Sequence, residues 1–210
     1  MWLKALVFVA AAWPGADLLY NTFWGDLGVN PLETLLLTSG ETALVLLLGS
    51  LAVTPIRRIT GWNRVQSIRR MLGLWAFFYA FFHLAFYLLL DRACLYWSDC
   101  QVQLIIEDIV KRKFILSGMV AFLAMVPLAL TSTKGWIRRL GRRWQSLHRL
   151  AYLAGAAGGV PFIWKTKVPE FWPYAYATIF LVLMAVRVYL AWQKRSAVRG
   201  PQSAVRGTGG

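Results

Sequence analysis

Two histidines are the side chains of this sequence best equipped for chemistry, and both stand in strongly apolar surroundings. His83 lies about two thirds of the way along Arg69–Tyr87, RRMLGLWAFFYAFFHLAFY. An imidazole in hydrocarbon is costly unless it binds a ligand or hydrogen-bonds a neighbouring helix, so an ionisable residue at such a depth is a functional candidate. His148 follows the pair Arg142 and Arg143 at the start of another apolar stretch. Imidazole is the commonest protein ligand for transition metals. Arg69 and Arg70 open the His83 run, where they either pair with acidic groups of a bound cofactor or lipid or simply mark a membrane boundary. Glu41 and Asp17 are acids within apolar runs, and either handle protons or hydrogen-bond inside a bundle.

Spacing separates the two histidines. His83 lies 13 residues beyond Arg70, about 20 Å along a helix, whereas His148 lies five residues beyond Arg143. The expected difference in depth is roughly 15 Å. Two imidazoles on one haem iron need their nitrogens about 4 Å apart, given metal–nitrogen bonds of ~2 Å. One haem or one metal ion bridging the pair therefore fails, and the histidines read as single ligands of two stacked sites. Phe77, Phe78, Phe81, Phe82, Phe86 and Tyr87 surround His83, with Trp75 and Tyr79 below. They either wall a flat cofactor or pack against one another at helical spacing.

The elements that must position these residues are membrane helices. The 210 residues are 58% hydrophobic with a mean hydropathy of +0.52, too apolar for a soluble domain. Several runs approach the ~20 residues that cross a bilayer. Six spans are expected, at Leu3–Tyr20 (with Pro14 and Gly15 as a kink), Leu35–Val53, Met71–Leu90, Phe114–Leu130, Trp144–Trp164 and Tyr174–Trp192. The expected fold is an all-α polytopic bundle in residues 1–195, followed by a disordered tail, 196–210, that is rich in glycine and repeats Ser-Ala-Val-Arg-Gly. An n-region at Lys4 and the apolar run after it resemble a cleavable leader, but an uncleaved first span suits the topology better.

A net charge of +14 raises the possibility of nucleic-acid binding. The distribution argues for topology instead. Arg57, Arg58, Arg64, Arg69 and Arg70 follow the second span, Lys134, Arg138, Arg139, Arg142 and Arg143 the fourth, and Lys194, Arg195, Arg199 and Arg206 the sixth. These segments contain no acid, so they and both termini are expected in the cytoplasm. The external stretch Asp91–Lys113 holds Cys94, Cys100, Trp97, Glu107 and Asp108. In an oxidising compartment the cysteines either pair or remain thiols.

Several blocks carry a family resemblance. One is Arg-Arg-Met-Leu-Gly-Leu from Arg69, followed by Tyr79, His83 and Tyr87. Another runs from Leu-Ala-Leu-Thr-Ser-Thr at 128–133 through Trp136, Arg139-Leu140-Gly141 and Trp144 to Leu-His-Arg-Leu-Ala-Tyr at 147–152. With Thr54-Pro55 and the Asp108, Lys111, Arg112 stretch before Phe114, they resemble MsrQ (YedZ), the family of haem-binding membrane subunits of bacterial periplasmic protein-methionine-sulfoxide reductases. The resemblance covers about residues 40–192 and implies a six-helix ferric-reductase-like transmembrane domain in the bacterial inner membrane. It further implies b-type haem with His83 and His148 as axial ligands, and a flavin mononucleotide (FMN). The implied electron source is the quinone pool or a cytosolic flavin reductase, and the implied acceptor is a periplasmic molybdopterin subunit. The family's third histidine, about 13 residues after the second, is replaced here by Pro161, which has no imidazole and no N–H.

No nucleophile, acid–base pair or nucleotide loop stands out, so the sulfoxide chemistry is expected in the partner, docked on the outer surface near Asp91–Lys113. Two alternatives use other residues. A cofactor-free transporter or scaffold would line a polar path with Glu41, Asp17 and the glycine-broken fifth span, but no inverted repeat is evident. A ferric reductase would be expected to add a flavin and nicotinamide domain, which these 210 residues do not contain.

Overall fold

The computed structural model describes residues 2–91, 102–165 and 171–199, and among these all regular structure is helical. In chain order the α-helices are α1 (Trp2–Phe23), α2 (Pro31–Thr60), α3 (Gln66–Phe86), α4 (Val102–Lys111), α5 (Lys113–Leu130), α6 (Lys134–Leu140), α7 (Arg142–Leu147), α8 (Leu150–Lys165) and α9 (Phe171–Arg199). A 3₁₀ turn, Asn63–Val65, leads into α3, and a π turn, Tyr87–Asp91, extends it. Local chemistry sets the ends. The Asn30 side chain accepts from the Glu33 N–H, with Pro31 in the first turn of α2, a favourable start because proline lacks an N–H that would be orphaned there. Gly141, at φ 49°, takes the positive-φ corner between α6 and α7 that a side chain would resist.

Five of the six expected spans, α1, α2, α3 with its extension, α5 and α9, are long and apolar enough to cross a membrane. The sixth is α8, whose 16 residues rise about 24 Å. The chain is a multi-pass membrane protein. The fifth span begins at Leu150 rather than Trp144, because α7 ends at Leu147 and a turn at His148 and Arg149 separates it from α8. The expected external loop contains a helix, α4, closed by Lys111–Glu107 and Arg112–Asp108 ion pairs. Its Cys94, Trp97, Asp99 and Cys100 lie outside the described residues, as do Glu170 and 200–210. The last helix reaches Arg199, beyond the tail boundary expected at 195/196.

Two helix pairs, α2 with α3 and α5 with α8, meet in a central layer of Leu47, Ala76, Ala124, Met125 and Ala154. Ala76 and Ala154 are completely buried. Small side chains there let the backbones approach closely, which drives helix association where lipid removes the hydrophobic gain. The first helix packs on α2 and α3, and α9 packs on α2 and α8.

Prolines inside helices fix the remaining contacts, because each withholds the N–H due to the carbonyl four residues earlier. Pro161 leaves the Ala157 carbonyl open, and the Ser117 hydroxyl of α5 donates to it at 2.7 Å. Pro55 leaves the Leu51 carbonyl open, and Arg187 of α9 donates to it. Beside Pro14, the Tyr79 hydroxyl enters α1, accepting from Gly15 N–H at 2.8 Å and donating to the Ala11 carbonyl at 2.8 Å. Where a kink is expected, at Pro14 and Gly15, α1 is continuous and a phenol from another helix stands in place of one backbone bond. A Cβ at Gly15 would lie 2.9 Å from that oxygen, so the insertion requires glycine. Tyr79→Phe is expected to cost about 1–3 kcal/mol by stranding both backbone groups, read as a lower midpoint for thermal unfolding in detergent.

Candidate functional site

His83 stands seven residues past Ala76 on α3, against the N-terminal part of α2. Its Nδ1 contacts the Leu36 carbonyl at 2.8 Å and the Ser39 hydroxyl at 3.4 Å. A carbonyl only accepts, so the proton of the neutral ring is on Nδ1 and the lone pair is on Nε2. Metal-bound histidines are held in this way, with the second nitrogen donating to a carbonyl. Gly40 makes the approach possible, since a Cβ there would lie 3.0 Å from both Nδ1 and Cε1. The surrounding aromatics divide. Phe77 stacks on Phe122 of α5 at 5.7 Å, while Phe78, Phe82 and Phe86 run along α3, with Trp75 reaching Phe8 of α1.

His148 occupies the turn between α7 and α8. Its ring lies 3.8 Å from that of Trp144 at 29°, and Trp144 is fixed by donation from its indole to the Thr131 carbonyl. The His148 Nδ1 is buried without a hydrogen-bond partner. Burial, reinforced by the Arg69 charge and opposed by the Trp144 backbone, holds this imidazole below the usual histidine range. It is therefore kept in the neutral form that ligates metals.

Depth follows from the central layer. His148 lies six residues before Ala154, so the imidazoles are about 20 Å apart along the bundle. No single iron takes both. Pro161 lies seven residues after Ala154, level with His83. Among the described residues no group of three or more His, Cys, Asp or Glu side chains forms a metal cage. One imidazole per depth suits a metal whose remaining donors come from its own macrocycle, as haem iron's do. The donor set fits haem and does not fit a bare ion.

Of the arginines singled out by sequence, Arg69 belongs to the His148 end and is half-buried, while Arg70 is exposed and donates to the Ser132 carbonyl at 3.4 Å. Asp17 is exposed on α1. Glu41 accepts a short hydrogen bond from Tyr176 of α9. The sequence reading passes over Arg187, although a lone arginine in the apolar run 174–192 is itself a signal. Arg187 donates to Tyr152 and to the Leu51 carbonyl, and its guanidinium lies 5.0 Å from the Tyr152 ring centroid. Tyr79 and Tyr176 were not separable from core aromatics by sequence.

Residues 37–159 match the family described as "Ferric reductase like transmembrane component". The "Protein-methionine-sulfoxide reductase heme-binding subunit MsrQ" of Herminiimonas arsenicoxydans is 43% identical across 92% of this chain and 88% of its own length. The protein of the same description from Ralstonia nicotianae is 42% identical across 95% and 89%. That from Xanthomonas axonopodis pv. citri is 44% identical across 92% and 88%. No solved structure matches the chain. With the family match spanning more than half of the chain and the relatives nearly all of it, the chain belongs to the ferric-reductase-like transmembrane family, among its MsrQ members.

Proposed function

We propose that this chain is the haem-binding electron-transfer subunit of a periplasmic protein-methionine-sulfoxide reductase, with residues 1–195 as a transmembrane domain in the bacterial inner membrane and both termini in the cytoplasm. The observation that carries the reading is the fixed His83 ring, with Nδ1–H given to Leu36 over the space left by Gly40. His83 would hold an outer b-type haem and His148 an inner one. Arg69 and Arg70, at the His148 end, would pair with acidic substituents of the bound group. When bound, haem supplies the one-electron chemistry that no side chain here provides. The protein fixes the His83 tautomer, holds His148 neutral and lowers the local dielectric.

Electrons enter from the quinone pool or a cytosolic flavin reductase, with FMN as a further cofactor, and leave past His83. The acceptor is a molybdopterin subunit docked on the outer surface around Asp91–Lys113. With Pro161 level with His83, the outer site has one protein imidazole.

Reduced-minus-oxidised visible spectra with haem quantified per chain test the ligands. His83→Ala is expected to remove the outer haem and His148→Ala the inner, while a wild type lacking haem after expression with adequate haem supply refutes the reading. Gly40→Val should lower haem content by pressing on the His83 ring, without changing either histidine. Deleting residues within Asp91–Lys113 should abolish reduction of the periplasmic partner while leaving the haem spectrum intact; loss of the spectrum would make that segment structural.

A further inference from the structure

Arg187 raises a question that its hydrogen bonds do not answer. A serine or glutamine would satisfy the carbonyl freed by Pro55 without placing a formal charge in an apolar helix, where charges are expensive. The charges nearest Arg187 are those of Arg69 and Arg58, and no carboxylate lies among its partners. Its Nε is buried and unpartnered, as is the Thr54 hydroxyl, one turn beyond Leu51. Converging cations with spare buried donors are the complement of an oxyanion.

Next to this basic end, one to two turns along each helix, an apolar slot lies between α2, α8 and α9. Leu48, Gly155, Gly159, Ile163, Phe180 and Leu181 are among its walls. Leu48 is one turn from Leu51, Gly155 one turn from Tyr152, and Phe180 two turns from Arg187. The slot holds about 200 Å³, below the ~300–1,000 Å³ of pockets for compact organic ligands. It suits a hydrocarbon chain and not a macrocycle. Cationic pockets between membrane helices on the basic side are where anionic lipid headgroups bind.

We propose that this is a binding site for an anionic phospholipid, with its phosphate at Arg187 and Tyr152 and one acyl chain in the slot between α2, α8 and α9. Arg69 and Arg58 add long-range attraction, and Thr54 offers a hydroxyl at the same end. The lipid compensates a charge that otherwise stays unpaired, and it joins α9 to the α2 and α8 helices. This proposal does not depend on the haem reading.

The test uses the full chain purified in mild detergent, with co-purifying phospholipid quantified by class and with titrations of phosphatidylglycerol or phosphatidylcholine in mixed micelles. Wild type is expected to retain anionic lipid and to gain thermal stability from phosphatidylglycerol alone. Arg187→Gln should weaken phosphatidylglycerol binding about tenfold or more, the loss expected for a hydrogen bond to a charged group. Gly159→Leu leaves the Arg187 contacts untouched and fills the slot from a position whose Cβ meets nothing within 4 Å; it should weaken binding as well. Equal stabilisation by both lipids, or unchanged phosphatidylglycerol binding in both variants, overturns the proposal. Loss of haem or of FMN from Arg187→Gln, with lipid binding unchanged, also overturns it and assigns the oxyanion to a propionate or to the flavin phosphate.

Discussion

Within hydrocarbon no water is available for an unpaired backbone group, so a carbonyl released inside a helix is a strong acceptor for a donor from a neighbouring helix. This chain places Pro14, Pro55, Pro127 and Pro161 inside helices. At Ala157 and Leu51 the donor comes from a different helix, and beside Pro14 a phenol replaces the broken bond. These contacts say which helix lies beside which: α5 with α8, α9 with α2, α3 with α1. Residues that would destabilise isolated helices become the points where the bundle is joined.

The same constraint shapes the seat of His83. The Leu36 carbonyl has two lone pairs, so it accepts from the His83 ring while remaining part of α2. Gly40 stands one turn on, and its missing side chain is the room in which the ring sits. His148 is treated differently. It stands at a break in the chain, under an indole anchored to Thr131, with a ring nitrogen left unpartnered. One imidazole is oriented by a hydrogen bond and the other by stacking and burial, at opposite ends of the bundle.

Much of this was legible in the sequence. Apolar runs and basic loops located the spans, because length and charge distribution report directly on the bilayer. The two histidines stood out because ionisable groups are rare at such depths. Their separation followed from the rise of a helix, and the Ala76 and Ala154 layer gives it its scale. The turn at His148 was not legible, since no glycine or proline marks it and the Trp144 anchor lies 13 residues away at Thr131. Tyr79 looked like one aromatic among many, and only the neighbouring helix shows what its hydroxyl does. The signal at Arg187 was present, but its meaning depends on Pro55, far away in the chain.

The last helix grips α2 twice, through Tyr176 at Glu41 and through Arg187 at the Leu51 carbonyl. The grips are ten residues apart, about 15 Å along α2. One holds a helix against sliding; two, set apart along the axis, also hold it against pivoting on its neighbour. Leu36, Ser39 and Gly40, which seat His83, lie just beyond the grip at Glu41. A redox centre ligated there would sit in a frame that changes little between its oxidation states, and small rearrangement keeps the reorganisation energy of electron transfer low. The clamp between α9 and α2 would thus bear on the speed of a reaction in which neither Tyr176 nor Arg187 takes part.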